Sequence, residues 1–266
     1  MALVLTRLCL AQDAREIVKR ALAAWERNDR LMMDYTWKVH NDVRELDSHG
    51  QVKSDHSTLD EVLFIGGKRY FRPLEKDGKP LPAEQEKSEE AKLERAVRDA
   101  SRLSEAEHEK RIDEAERERL KRREQFRDVP DAFDFMLVGE TPIEGRKTWE
   151  ILATPRPGYH GKFGGIFRNV DGRLWIDEQD YEWTKVEAEV LDNFSLGWFL
   201  ARVNKGTHIS FEMTRVNDEI WAPGHFALTA SARIALMKKI NAEQDLTFSD
   251  YRKYQTDSRI VSSAAE

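Results

Sequence analysis

The chain has 266 residues, of which 40% are apolar and 35% charged, and a formal net charge of −6. That length can bury a full core as one large β domain or two smaller ones. The acidic balance argues against a nucleic-acid binder, which normally carries a basic footprint; no 18-residue apolar run is present to span a bilayer as a helix; and a single cysteine, Cys9, excludes an intrachain disulfide.

The first twelve residues join an apolar stretch to a small residue, Ala11, ahead of a polar start, as the end of a secretory signal does. Arg7 interrupts that stretch. Residues 1–12 are therefore read as a degenerate or truncated signal segment, with the first part of a helix as the alternative. Residues 13–31 predict a helix: Ile17, Val18, Ala21, Leu22 and Trp25 recur every three or four positions, Asp13 is placed as the N-cap, and Glu16 follows three residues on.

Residues 35–44 predict an amphipathic strand, with Tyr35, Trp37, Val39 and Val43 alternating with Thr36, Lys38, His40 and Asp42. Residues 47–50 turn the chain. A strand through Leu59, Val62, Phe64 and Ile65 then reaches the turn Gly66-Gly67, and residues 68–74 are its hairpin partner. Short strands joined by tight turns imply an antiparallel meander rather than βαβ units.

Residues 82–127 change character. Acidic and basic residues interleave without a glycine, Pro82 suits a first helical position, and Ser104 with Glu107 makes a capping box. Two helices are predicted, 83–102 and 105–127, supported by pairs such as Glu94 with Arg98 and Glu118 with Arg122. Their apolar stripes are too narrow for a long coiled coil. A solvated projection is the plain expectation, and a partner-docking arm or mobile lid the alternative.

The β pattern resumes at residue 131, where Phe133, Phe135 and Leu137 alternate with polar or smaller neighbours, and a strand over 148–153 follows. Residues 159–170 have no firm period and read as loop or short helix. Residues 171–190 read as an antiparallel hairpin, with Tyr181, Trp183, Lys185, Glu187 and Glu189 on one face. Residues 191–201 are dense in apolar side chains for a connection and are expected to plug the concave face of the sheet as loop or helix. Ile209, Phe211 and Met213 alternate with Ser210 and Glu212, residues 220–238 supply a long strand or two, and residues 246–254 close the sheet. The tail, 258–266, is polar and expected to fray.

No catalytic signature emerges. The seven histidines form no HExxH or His-x-His pattern, the glycines of 158–165 lack phosphate-loop spacing, and Ser195 has no GxSxG elbow. Asp177 and Asp180 resemble an acid pair but fall at a hairpin turn, where Asp is favoured in any case. No enzyme, metal or cofactor is expected. What accumulates is aromatic side chains on strands. Either they form an ordinary β core, or a curved sheet covered by one short helix leaves an apolar concavity for a greasy ligand. In the second reading Tyr35, Trp37, Val39, Phe64, Trp149, Ile151 and Trp175 are the candidate lining, with Phe194, Trp198 and Phe199 as the candidate cover.

The run Gly172-Arg173-Leu174-Trp175-Ile176-Asp177, the strand over 185–189 and the strand ending at Tyr251, after a leading helix, resemble the LolA/LolB-like superfamily of outer-membrane lipoprotein-sorting proteins. The resemblance covers most of residues 13–255. It implies an α+β fold, mainly antiparallel β: a curved half-barrel sheet with an N-terminal helix, helices on the concave side, and here an inserted charged helical hairpin. It also implies a periplasmic or cell-envelope carrier that shields acyl chains of lipid or lipoprotein without covalent chemistry. The chain is accordingly expected to be one domain over 13–257, with 82–127 as an insertion, and a monomer without nucleic-acid partners. The rival reading is an envelope interaction or scaffold protein that meets a protein partner through 82–127.

Overall fold

The structure is a computed structural model and describes residues 2–196, 201–234 and 238–253. Helix α1 (Ala2–Leu31) opens the fold, and a single 3-10 turn (Met32–Asp34) hands over to strand β1 (Tyr35–Leu46). The helix runs through Asp13, which is therefore not its N-cap. The residues ahead of Asp13 are mostly Leu, Ala and Val with neither Gly nor Pro, so nothing in them stops a helix.

β2 (Val52–Ile65), β3 (Lys68–Lys76) and β4 (Lys79–Pro80) continue the meander, then α2 (Ala83–Ser101) and α3 (Glu105–Arg127) follow. A one-turn helix α4 (Val129–Ala132) leads into β5 (Phe133–Ile143) and β6 (Arg146–Pro155), and another, α5 (Gly164–Phe167), precedes β7 (Val170–Asp177) and β8 (Trp183–Val190). The remaining strands are β9 (Phe194–Leu196), β10 (Ala201–Val203), β11 (His208–Val216), β12 (Ile220–Ile234) and β13 (Lys238–Lys253).

The described strands form one antiparallel sheet in the order β4-β3-β2-β1-β13-β12-β11-β8-β7-β6-β5, with β9 and β10 beside the far end of β12. Its ends, β4 and β5, do not pair with each other, so the sheet is an open half-barrel. The strand expected to close the sheet at 246–254 is instead the second half of β13, which lies mid-sheet between β1 and β12. Within 191–201, residues 191–193 are loop as expected, whereas 194–196 and 201 are strand rather than loop or helix, because β9 and β10 pair with each other and β10 with β12.

Two cores sit on the sheet. Under α1, the small residues Ala14, Val18 and Ala21 let the helix approach Phe133, Phe135, Ile151, Ala153, Leu174 and Ile176. Ile151 and Ile176 are fully buried, each worth about 2–3 kcal/mol of transfer free energy. The second core gathers Met32, Tyr35, Trp37, Val39, Val62, Ile220 and Ala222 around β1.

The charged helices join the two open edges of the sheet, since the chain leaves β4 and re-enters at β5. They are not a free projection. The capping box at Ser104 forms as its sequence requires, with both the Glu107 N–H to Ser104 bond and the reciprocal Ser104 N–H to Glu107 bond present. α3 then docks on α1: Arg119, only 8% exposed, pairs with Asp29 at 3.0 Å, and Trp25 meets Phe126 edge-to-face at 5.4 Å. At the other end Lys68 of β3 pairs with Glu114 at 3.4 Å.

Candidate functional site

Residues opposite one another in an antiparallel ladder share a face, so the registers trace the helix-covered side of the sheet strand by strand. Starting under α1, Leu137 faces Ile151, which faces Leu174, then Val186, Phe211, Phe226, Leu246 and Asn41. The next row runs Phe135, Ala153, Gly172, Ala188, Ile209, Leu228 and Gln244. Both cores therefore occupy the same side of one sheet. Between them lies a floor of Ile209, Phe211, Phe226 and Leu228, half-buried and belonging to neither core, with Leu246 at its margin on the β1 core.

The expected lining divides between the two cores. Tyr35, Trp37 and Val39 are buried at the β1 end with Phe64 packed against them, Trp37 lying edge-on to Phe64 at 6.0 Å and beside Tyr251 at 6.0 Å. The Tyr35 hydroxyl donates to Glu219 at 2.8 Å. Ile151 is buried under α1, and Trp149 packs against that core and on Tyr181 at 5.0 Å. Trp175 lies on the opposite face of the sheet. Leu174 and Ile176 take the helix side, so the period of two sends the ring between them outward, where Lys185 covers it at 5.4 Å.

Phe194 is half-buried on β9 opposite Val203. Trp198 and Phe199 lie outside the described residues. The floor residues Ile209, Phe211, Phe226 and Leu228 were not among those expected. Their signal is present in the alternation of β11, and it gains meaning only once β11 and β12 are known to be central strands rather than late additions to an edge.

One break in the alternation matters. Ile176 pairs with Trp183 but Trp175 with Lys185, which leaves Thr184 as an extra residue. This bulge returns Trp183 to the helix side, against the under-helix core, while Lys185 stays outside. The expected single face of Tyr181, Trp183, Lys185, Glu187 and Glu189 is thus split. Thr184 is buried and donates its hydroxyl to the Trp175 carbonyl at 3.0 Å.

A charged clasp holds the C-terminal half of α1 over one end of this concavity. Asn28 bonds the backbone of Trp221 in both directions, accepting from its N–H at 2.9 Å and donating to its carbonyl. Arg20 donates to the Tyr181 hydroxyl at 3.1 Å. In the turn below, Asp177 is fully buried, accepts from Arg146 at 2.6 and 2.8 Å, and accepts the N–H groups of Gln179 and Asp180. Burial alone would raise the Asp177 carboxyl; Arg146 and those two amides together hold it below the ordinary range. Asp180 accepts from the Trp221 indole at 3.0 Å and from Arg146 and Arg215. The two aspartates are the turn's own scaffolding.

Glu182 differs. It is 5% exposed, and its Oε2 has no hydrogen-bond partner. Burial pushes its carboxyl up to about 8, with Arg27 opposing and Asp180 and Asp177 adding to the rise. Among the described residues no three His, Cys, Asp or Glu side chains converge to hold a metal ion. No described helix is long and apolar enough to cross a membrane.

No family model matches the chain, and no curated protein matches it. Solved structures do. An outer membrane lipoprotein-sorting protein domain from Vibrio parahaemolyticus is similar at 12% identity and a TM-score of 0.30, covering 91% of this chain and 95% of its own. A DUF1329 family protein from Desulfovibrio piger is similar at 11% identity and a TM-score of 0.32, with 94% and 95% covered. A LolA superfamily protein from Nitrosomonas europaea is similar at 10% identity and a TM-score of 0.28, with 91% and 93% covered.

Proposed function

We propose that this chain is a periplasmic or cell-envelope carrier that shields acyl chains of lipid or lipoprotein in the concavity of its half-barrel, without covalent chemistry. The observation that carries the reading is the floor of Ile209, Phe211, Phe226 and Leu228, half-buried between two packed cores and matched to neither. An apolar floor flanked by rigid aromatic cores is the arrangement a greasy ligand needs, because its walls are ordered before the ligand arrives. Ten methylenes laid on it would contribute about 8 kcal/mol, enough for roughly micromolar binding before association costs are subtracted.

Tyr35, Trp37, Val39 and Phe64 at one end and Trp149 and Ile151 at the other act in this reading as the walls that set the floor's width. α1 is the cover, and the Asn28 clasp fixes where it lies. The alternative, a scaffold working through 82–127, loses its main attraction because α3 is docked on α1 by a buried arginine rather than left free. Native mass spectrometry of the gently purified chain tests the proposal. Co-purifying lipid that disappears in Phe211→Asp is the expected result; a ligand-free chain that also ignores added fatty acid contradicts it.

A further inference from the structure

Both apolar rows of the floor end in an amide on the β1 side. The first row passes from Leu246 to Asn41 and the second from Leu228 to Gln244. Asn41 follows the buried Val39 by two positions and Gln244 precedes Leu246 by two, so both side chains take the helix side, where each is half-buried. An apolar face gives neither of them a reason to be there, since a polar group costs free energy on burial unless it is hydrogen-bonded.

The pair answers part of that need itself. Gln244 donates from Nε2 to Oδ1 of Asn41 at 2.9 Å. A side-chain amide carries two donor hydrogens and an oxygen with two lone pairs, so one bond uses only part of what the two offer. Among the described residues neither side chain makes another hydrogen bond, which leaves Nδ2 of Asn41 to donate and Oε1 of Gln244 to accept.

The charges around the pair narrow the choice of guest. Diagonal neighbours across a ladder lie about 7–8 Å apart. On this face Asp60 is diagonal to Asn41, and Glu45 to Gln244. His56, the other diagonal neighbour of Asn41 on β2, has Asp77 at 3.7 Å from its Nδ1. Lys76 is one strand further out, opposite Thr58. A carboxylate at this end of the floor would meet the oxygen of Gln244 with two acids behind it. An ammonium can only donate, and would leave the Asn41 donor facing it.

We infer that Asn41 and Gln244 select the end group of the bound chain: a neutral amide, whose carbonyl accepts from Nδ2 of Asn41 and whose N–H donates to Oε1 of Gln244. This inference rests on the carrier reading and adds to it the two residues that read the head. A fatty acid still lies on the floor through its methylenes, but it forgoes the bond to Gln244.

The test displaces a fluorescent fatty acid from the full chain at pH 8 with four competitors of one chain length: decanoate, decylammonium, decanamide and N,N-dimethyldecanamide. The dimethylamide is the more apolar of the two amides but has no N–H to give. Decanamide should be the best competitor, ahead of the dimethylamide by about fivefold, the effect of one hydrogen bond. In the double variant Asn41→Leu with Gln244→Leu that advantage should vanish, while decanoate displaces the probe as it does in the parent. Replacing both partners by apolar groups of similar shape leaves no stranded polar atom, so the variant should keep the parent's circular dichroism. Either charged competitor outperforming decanamide, or a ratio between the two amides that is the same in parent and variant, overturns the inference and leaves the carrier reading standing. A parent that binds no probe removes both.

Discussion

Glu182 carries the sharpest consequence of any single residue. Its folded carboxyl is raised to about 8 from an ordinary 4.5, so the folded chain keeps a proton that the unfolded chain gives up. The stability linked to this group is fully present below about 4.5, declines as pH rises, and is lost once pH passes about 8. Glu182→Gln keeps the shape of the protonated side chain and removes the titration. Thermal melts should therefore show the variant close to the parent at pH 4 and more stable at pH 8. A variant less stable at both would mean that the carboxylate is paired and not stranded. Asp177 has the opposite sign, since it is held below its ordinary value and its contribution disappears only as pH falls through the acid range. The two effects occupy separate windows and can be read from one pH series. At this scale the sequence was least legible. The turn-forming role of Asp177 and Asp180 could be read directly, but the burial of Glu182 and the bulge at Thr184 depend on which neighbours α1 and β7 bring.

Among elements, the helices were the most legible and their docking the least. Interleaved charges, Pro82 and the capping box placed α2 and α3 to within a residue, because these signals are local to the chain. Nothing local told where the pair would lie. Its site depends on Gly66, the first residue of the β2–β3 turn, which has φ +55° and sits against both helices. A Cβ there would stand 2.9 Å from Nη1 of Arg111 and 3.0 Å from Cβ of Ala100. Arg111 can swing aside, whereas Ala100 can move only with α2. Gly66→Ala should cost about 1–2 kcal/mol, from left-handed strain and the contact together, and hydrogen exchange should quicken in α2 before it does in β1. Ser104→Ala removes the cap and should cost about 1 kcal/mol, with faster exchange confined to the first turn of α3. Equal protection of α2 in Gly66→Ala and parent would show that the elbow of the two helices does not rest on that turn.

For the whole molecule, the alternation of apolar residues made an antiparallel sheet legible, but not its order. The strands fold locally as meanders, yet β1 pairs with β13 and β8 with β11, and these long-range joins decide which residues become central. That is why Trp37 and Ile151, prominent in the sequence, lie in cores, while the less conspicuous Phe211 and Phe226 form the floor between them. The central claim is that this floor receives an acyl chain, and a series of saturated fatty acids of increasing length tests it most directly. If each methylene is laid on the floor, affinity should rise about fourfold per added carbon, the equivalent of about 0.8 kcal/mol, until the floor is full. In Phe211→Asp that dependence should collapse. An affinity independent of chain length, or a full length dependence retained in Phe211→Asp, would contradict the account.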